Sequence, residues 1–195
     1  MAEVTAGSTL ESRLDRATGW TVRHWLLFAN GAAALYAGLP WLSPLAKWSG
    51  HPLVGELLFR LYTPLCHQIP ARSFFFCGHQ VAFCHRCAAM YTSIVAAGLL
   101  FALLRRRIRP ISLKTAGLLL VPMLIDGGTH LVDDVLALGL RGGGDAIGTP
   151  NFWLRMITGA LVGLAALLFL FPRLERDVGR VFASPAQPAG QEIRG

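Results

Sequence analysis

Charged side chains are scarce in this chain. Asp, Glu, Lys and Arg make up 15% of its 195 residues, where a soluble domain carries about 25%. That shortage, with a hydrophobic content of 53% and a mean hydropathy of +0.49, excludes an ordinary water-soluble enzyme and, for most of the chain, intrinsic disorder. Cysteine is sparse as well, four in all, too few for a disulfide-stapled mini-protein. Acidic residues number 11 against 18 basic ones, a net charge of +7. The basic residues stand between long apolar runs, which is the distribution of a membrane protein and not of a nucleic-acid binder. The first 22 residues lack the apolar core and cleavage site of a secretory signal peptide, so they are expected to remain as a cytoplasmic segment. Also missing are the strict alternation of a β-barrel, an internal repeat, a phosphate-binding glycine loop, a serine nucleophile elbow and a zinc-protease His-Glu pair.

What is present is apolar length. Four stretches, about 24–42, 81–104, 113–138 and 152–171, approach or exceed the roughly 20 residues that a helix needs to cross a bilayer core. Backbone groups find no water inside lipid, so the spans must be helices. The chain is expected to be an all-α integral membrane protein, a four-helix transmembrane bundle over residues 23–173. Trp25 and Trp41 suit the interfaces of the first span, and Arg105, Arg106, Arg107 and Arg109 stop the second at a lipid-headgroup layer. In the outer loop 43–80, Leu53, Leu57 and Leu61 recur at helical spacing and Glu56 stands four residues before Arg60, which predicts an amphipathic helix lying along the interface. Residues 174–195 are expected to be a cytoplasmic tail, disordered from Ser184. With both termini inside, twelve Lys and Arg fall on the inner side and six on the outer, so the loop 43–80 is expected to face outward in a multi-pass cell-membrane protein.

All four cysteines fall in one 22-residue window: Cys66-His67-Gln68, Cys77 and Cys84-His85-Arg86-Cys87. Cys84 and Cys87 at a helix start share a face and sit against the positive end of the helix dipole, where thiolates are favoured. Three chemistries stay open at this point. Cys66, Cys84 and Cys87 with Cys77, His67, His79 or His85 supply the four ligands that tetrahedral zinc prefers. The same thiols could form a redox relay of two disulfides, or two static disulfides stapling an outer loop.

The third span carries Asp126, His130 and Asp133 or Asp134 at spacings that place them on one face. A carboxylate in a membrane helix needs a partner and marks a functional site by default. Arg155, in the first turn of the fourth span, is the expected counter-ion of Asp126, either as a mere helix lock or as part of a reactive pocket. Gly159 and Gly163 form a small-xxx-small pair for close helix approach, and Pro122, Gly127 and Gly128 are expected to loosen the third helix at its polar site.

The pieces CHQIPARSFFFCGHQ, FCHRCAAMY, LIDGGTH and NFWLRMITG, in this order between about Leu61 and Gly163, resemble an uncharacterised family of small bacterial and archaeal integral membrane proteins known only as a domain of unknown function. The resemblance carries over Cys66, His67, Gln68, Arg72, Ser73, Phe74, Cys84, Arg86, Cys87, Tyr91, Asp126, Gly127, Arg155, Thr158 and Gly159. Cys77 is not expected throughout that family, His130 stands where Gln is expected, and Ala88 and Ala89 stand where Gly or Thr is usual. If three cysteines belong to the pattern, two disulfides fit it poorly and a three-thiolate metal site completed by His or Asp fits better.

The reading that follows is a polytopic membrane protein whose outward-facing Cys66, His67, Cys84 and Cys87 bind zinc or another transition metal. Beside them, Asp126, His130 and Arg155 form the reactive pocket. One alternative is a membrane thiol-disulfide oxidoreductase coupled to quinone, with Arg86 or Arg155 near that cofactor. Another is a non-catalytic scaffold with structural disulfides. Membrane lipid is the expected partner and nucleic acid is not.

Overall fold

The computed structural model of the chain describes residues 16–139, 142 and 144–183. The expectations for residues 1–15 and for a disordered tail from Ser184 lie outside the described residues. Helix dominates, as expected of an all-α membrane protein, and among the described residues four helices are long and apolar enough to cross a membrane. They are α1 (Trp25–Trp48), α3 (His85–Leu104), α4 (Leu113–Leu136) and α5 (Pro150–Ala165), the last running through a π-helical turn at Ala166–Leu170 into α6 (Phe171–Ala183). Residues 174–183, counted with the tail in the sequence reading, are thus helical.

Local chemistry sets the ends of these helices. The Ser112 hydroxyl accepts from the Thr115 amide at 3.1 Å and caps α4. Thr149 does the same for α5 through the Phe152 amide, with Pro150 in the first helical position. Pro40 and Pro44 lie inside α1 and Pro122 inside α4, a placement that membrane helices tolerate because neighbours re-satisfy the freed carbonyls. Large apolar side chains stay exposed along the spans, among them Leu35, Leu99, Leu118 and Leu124. On a soluble protein they would be an aggregation hazard, and on a membrane bundle they are the lipid-facing surface.

The centre of the bundle is the α3–α5 pair. Glycines set its closeness. A Cβ on Gly159 would lie 2.7 Å from the Arg86 carbonyl oxygen, and one on Gly163 would lie 2.5 Å from the Ser93 backbone. The small-xxx-small pair works as expected. Helix α1 crosses α3 where Gly98 admits the Asn30 side chain. Helix α4 leans on α5 and scarcely touches α3, which leaves a gap between α3 and α4 at one end.

That end is built by the loop after α1. Helix α2 (Pro52–Leu61) folds back on α1, with Ser43 Oγ donating to the Gly55 carbonyl at 2.8 Å and Glu56 bridging Lys47 at 3.0 Å and Arg60 at 2.7 Å. Leu53, Leu57 and Leu61 stay exposed, the apolar stripe of an interfacial helix. After a short 3-10 turn at Pro70–Arg72 comes an antiparallel hairpin, β1 (Ser73–Phe76) and β2 (His79–Cys84). Its two-residue turn, Cys77 and Gly78, has φ of +50° and +79°, the positive pair of a type I′ turn. The sequence reading gave residues 81–84 to the second span. They are strand, and the helix begins at His85 because Cys84 is still extended at φ −73°, ψ 164°.

Candidate functional site

Three of the four cysteines meet where β2 becomes α3. Cys84 is the last strand residue and the N-cap of α3, and Cys87 lies one turn into the helix, so the two thiols share a face. Cys66 arrives from the turn after α2, where its amide donates to the Tyr62 carbonyl at 3.0 Å. The Cys84 amide in turn donates to Cys66 Sγ at 3.2 Å. The three Sγ atoms lie within 4.8 Å of one another, and none is in a disulfide.

Gln68 holds this arrangement in place. Its Nε2 donates to the carbonyls of Phe59 at 2.7 Å and Ala82 at 3.1 Å, its Oε1 accepts from Thr63 at 2.9 Å, and its carbonyl accepts from Gln80 at 2.6 Å. One buried side chain thus ties the end of α2 to β2 across the chain that carries Cys66. It does so with a backbone φ of +50°, which a non-glycine residue adopts only where its surroundings impose it. Beneath lies an aromatic floor, Phe83 against Tyr62 at 4.9 Å and Tyr91 at 5.0 Å.

Hydrogen bonds from Cys66 and Cys87, with the Arg86 charge nearby, hold the Cys84 thiol far below its ordinary value. The same contact with Cys84, and burial, push the Cys66 thiol up. Such a set can bind a soft or borderline cation, or pass electrons as thiol and disulfide.

His67 is exposed beside Cys66 and does not join the three sulfurs. Nor do Cys77, exposed at the hairpin tip, or His79 on β2. His85 is buried on another side, with its ring against the edges of Phe74 at 4.6 Å and Phe152 at 4.9 Å.

The polar stripe of α4 does come to the same end, but its ion pairs differ from the expected ones. Asp126, 3% exposed, accepts from Arg86 Nη2 at 2.6 Å and from the Thr158 hydroxyl at 3.2 Å. Arg155 turns instead to Asp145, and its Nη2 donates to His130 Nε2 at 3.1 Å. The expected pairing of Asp126 with Arg155 is therefore corrected. Asp126 looks across the α3–α4 gap, where the CxxC segment supplies Arg86, while Arg155 at the start of α5 is level with the loop before it.

Arg72 completes the network, donating to both oxygens of Asp134 at 2.6 and 2.7 Å and to Asp145 at 2.7 Å. Burial alone would raise the Asp145 carboxyl, but hydrogen bonds from Arg72 and Arg155 outweigh it and hold it below the usual carboxylate range. Asp145 is the functional candidate that sequence reasoning missed. It stands in a glycine-rich loop with no periodic pattern, and only its fold neighbours give it meaning.

Between α3 and α4 these groups enclose a cavity of about 280 Å³, walled by Cys66, Cys84 and Cys87 on one side and by Arg72, Arg86, His130, Asp134 and Arg155 on the other. Met90, Met123 and Leu131 add apolar wall. Gly127 admits Arg86, whose Nη1 would lie 3.3 Å from a Cβ there.

Residues 66–169 match the family described as "Predicted membrane protein (DUF2085)". An uncharacterized protein of Methanocaldococcus jannaschii is 30% identical over 118 residues, which is 59% of this chain and 67% of that one. An uncharacterized protein of Methanothermobacter thermautotrophicus is 33% identical over 105 residues, 53% of this chain and 83% of that one. No solved structure matches the chain. The matched stretch holds all three clustered cysteines and every ion pair of the cavity, and the chain belongs to this family of membrane proteins.

Proposed function

We propose that Cys66, Cys84 and Cys87 hold a transition metal, zinc before others, and that the adjoining pocket of Arg86, Asp126, His130 and Arg155 handles the group on which the protein acts. The observation that carries this reading is the gathering of three unpaired sulfurs within 4.8 Å of one another. Three thiolates suit zinc or a softer ion and leave a ligand position for His67, which is exposed next door, or for water. A metal bound there supplies a Lewis acid beside the cavity. Within the pocket Arg86 pairs with Asp126, the His130 ring lies against Arg155, and Arg155 supplies positive charge. The charge bias of the loops favours both termini in the cytoplasm and the cysteine cluster on the outer side.

The test is the metal content of the full chain, purified in detergent without chelator or histidine tag. About one metal per chain is expected, falling to background in Cys84→Ser/Cys87→Ser. Wild-type protein without metal, or a double variant that keeps it in full, overturns the reading. The second reading, a thiol-disulfide oxidoreductase coupled to quinone, is favoured by the cavity lying against the free thiols. It takes over if metal-free protein holds a Cys84–Cys87 disulfide that opens and closes with the redox state of added quinone.

A further inference from the structure

The cavity itself has a chemical preference that the metal reading does not use. Its wall presents three guanidiniums, of Arg72, Arg86 and Arg155, and a single carboxylate, Asp134. The other two carboxylates of the network, Asp126 and Asp145, pair with those arginines from behind and form no part of the wall. Arg72 has its Nε, Nη1 and Nη2 committed to Asp134 and Asp145. The other two guanidiniums are not saturated. Arg155, 2% exposed, has a buried Nη1 with no hydrogen-bond partner, and Arg86 has a buried Nε in the same condition. A buried guanidinium N–H left unmade is expensive in an apolar setting, and both residues belong to the wall of one cavity. The rest of the wall is Cys66, Cys84 and Cys87, two histidines, Gly127 and the apolar Leu65, Ile69, Met90, Met123 and Leu131. Leu65 and Leu131 are both 58% exposed, so the rim reaches the bundle's lipid-facing surface.

We propose that this cavity binds the anionic phosphate-type head of a ligand, with the guanidiniums of Arg155 and Arg86 donating to its oxygens. Guanidinium forks match the geometry of phosphate oxygens. The apolar rim suits the acyl chains of an anionic membrane lipid, and a free phosphate anion offers the same head without them. This deepens the pocket half of the proposed function and does not depend on the metal half.

The full chain in detergent is to be presented with phosphatidylglycerol and phosphatidylcholine of identical acyl chains, and separately with inorganic phosphate. Native mass spectrometry counts retained lipid, and thermal unfolding reads phosphate binding. About one phosphatidylglycerol per chain is expected, preferred about tenfold over phosphatidylcholine, the size of one charge-assisted hydrogen bond. Arg155→Gln should remove that preference. Because that variant can fail to fold, Met123→Trp serves beside it, filling the cavity with no change of charge. Arg106→Gln, exposed at the far end of the bundle, should leave the preference intact.

Stabilisation by inorganic phosphate without lipid preference, lost in Met123→Trp, assigns the site to a free anion and still supports the proposal. No response to either probe, or a response unchanged by Met123→Trp, overturns it. Running the same measurements on Cys84→Ser separates the two ideas. A lipid preference that survives there stands whatever the metal does, and bound metal without any anion preference in wild type sinks this inference alone.

Discussion

The pairing of Asp126 with Arg86, and not with Arg155, can be measured as a coupling energy. The two partners touch at 2.6 Å with side chains 4% and 19% exposed, so water screens them little. Unit charges about 4 Å apart attract by about 4 kcal/mol at an effective dielectric of 20, against which both desolvation penalties count. Removing one partner leaves the other charge buried, and such a loss typically costs about 3–5 kcal/mol. Asp126→Asn alone should therefore lower the melting temperature of the detergent-solubilised protein by roughly 10 °C, taking about 2–4 °C per kcal/mol for a chain of this size. Asparagine still accepts from Thr158, so the loss reads the charge.

In Asp126→Asn/Arg86→Gln the orphaned guanidinium is gone as well, and the cycle should return a coupling of about 1–3 kcal/mol. The cycle with Arg155→Gln should return a smaller coupling, because Arg155 answers to Asp145 and meets Asp126 only through His130. Fluorescence-monitored thermal unfolding of the four proteins in each cycle is sufficient. A larger coupling to Arg155 than to Arg86 would refute the assignment of partners and with it the placement of Asp126 across the α3–α4 gap.

Three further outcomes follow from particular contacts. Gly163→Ala drives a methyl group to within 2.6 Å of the Ser93 backbone and side chain, while Gly38→Ala meets nothing within 4 Å. Both gain the same helix propensity, so Gly163→Ala should be less stable than Gly38→Ala by about 1–3 kcal/mol of overpacking, and equal melting temperatures would contradict the close α3–α5 approach. Gln68→Ala removes three side-chain hydrogen bonds around the Cys66 turn. It should cost about 2–4 kcal/mol at about 1 kcal/mol each and slow recovery of metal after chelation, and wild-type reloading would deny Gln68 a positioning role. Cys77, exposed at the hairpin tip, should react with a membrane-impermeant maleimide from outside intact cells. Labelling only after permeabilisation would place the hairpin inside.

Much of the architecture is legible in one dimension because lipid imposes a simple rule. Twenty or so apolar residues have no other stable form in a bilayer, and small residues four apart on a helix predict where two helices approach. The hairpin was hidden by the same hydrophobic signal. The run SFFFCGHQVAFC is apolar enough to merge with the span that follows, and the cue separating it is the Cys77-Gly78 pair, whose turn requires positive φ at both positions. The three-cysteine gathering was legible as a cluster, but which cysteine stays out depends on that turn, which carries Cys77 to the exposed tip and away from Cys66, Cys84 and Cys87. Ion-pair partners were the least legible. Spacing fixes that Asp126 and His130 share a face, but whether Arg86 or Arg155 stands opposite depends on how α3, α4 and α5 are arranged, which no local pattern encodes.

The arrangement of α4 gives the site its character. This helix is held at its polar end by charges more than by packing: Asp126 reaches Arg86 on α3, Asp134 reaches Arg72 before the hairpin, and scarcely any α3–α4 backbone approach accompanies them. Charge pairs between long side chains hold two helices apart while tying them together, whereas glycine contacts such as those at Gly159 and Gly163 pull helices close. The bundle uses both devices, glycines on the α3–α5 face and guanidiniums on the α3–α4 face. The second leaves a cavity beside the three thiols that apolar packing would have closed. Three of the groups that set its width, Arg72, Arg86 and Arg155, are also the ones that line it. A ligand that takes up their remaining donors thus acts on the contacts that position α4, so occupancy of the cavity and the stance of this helix are coupled by the same hydrogen bonds.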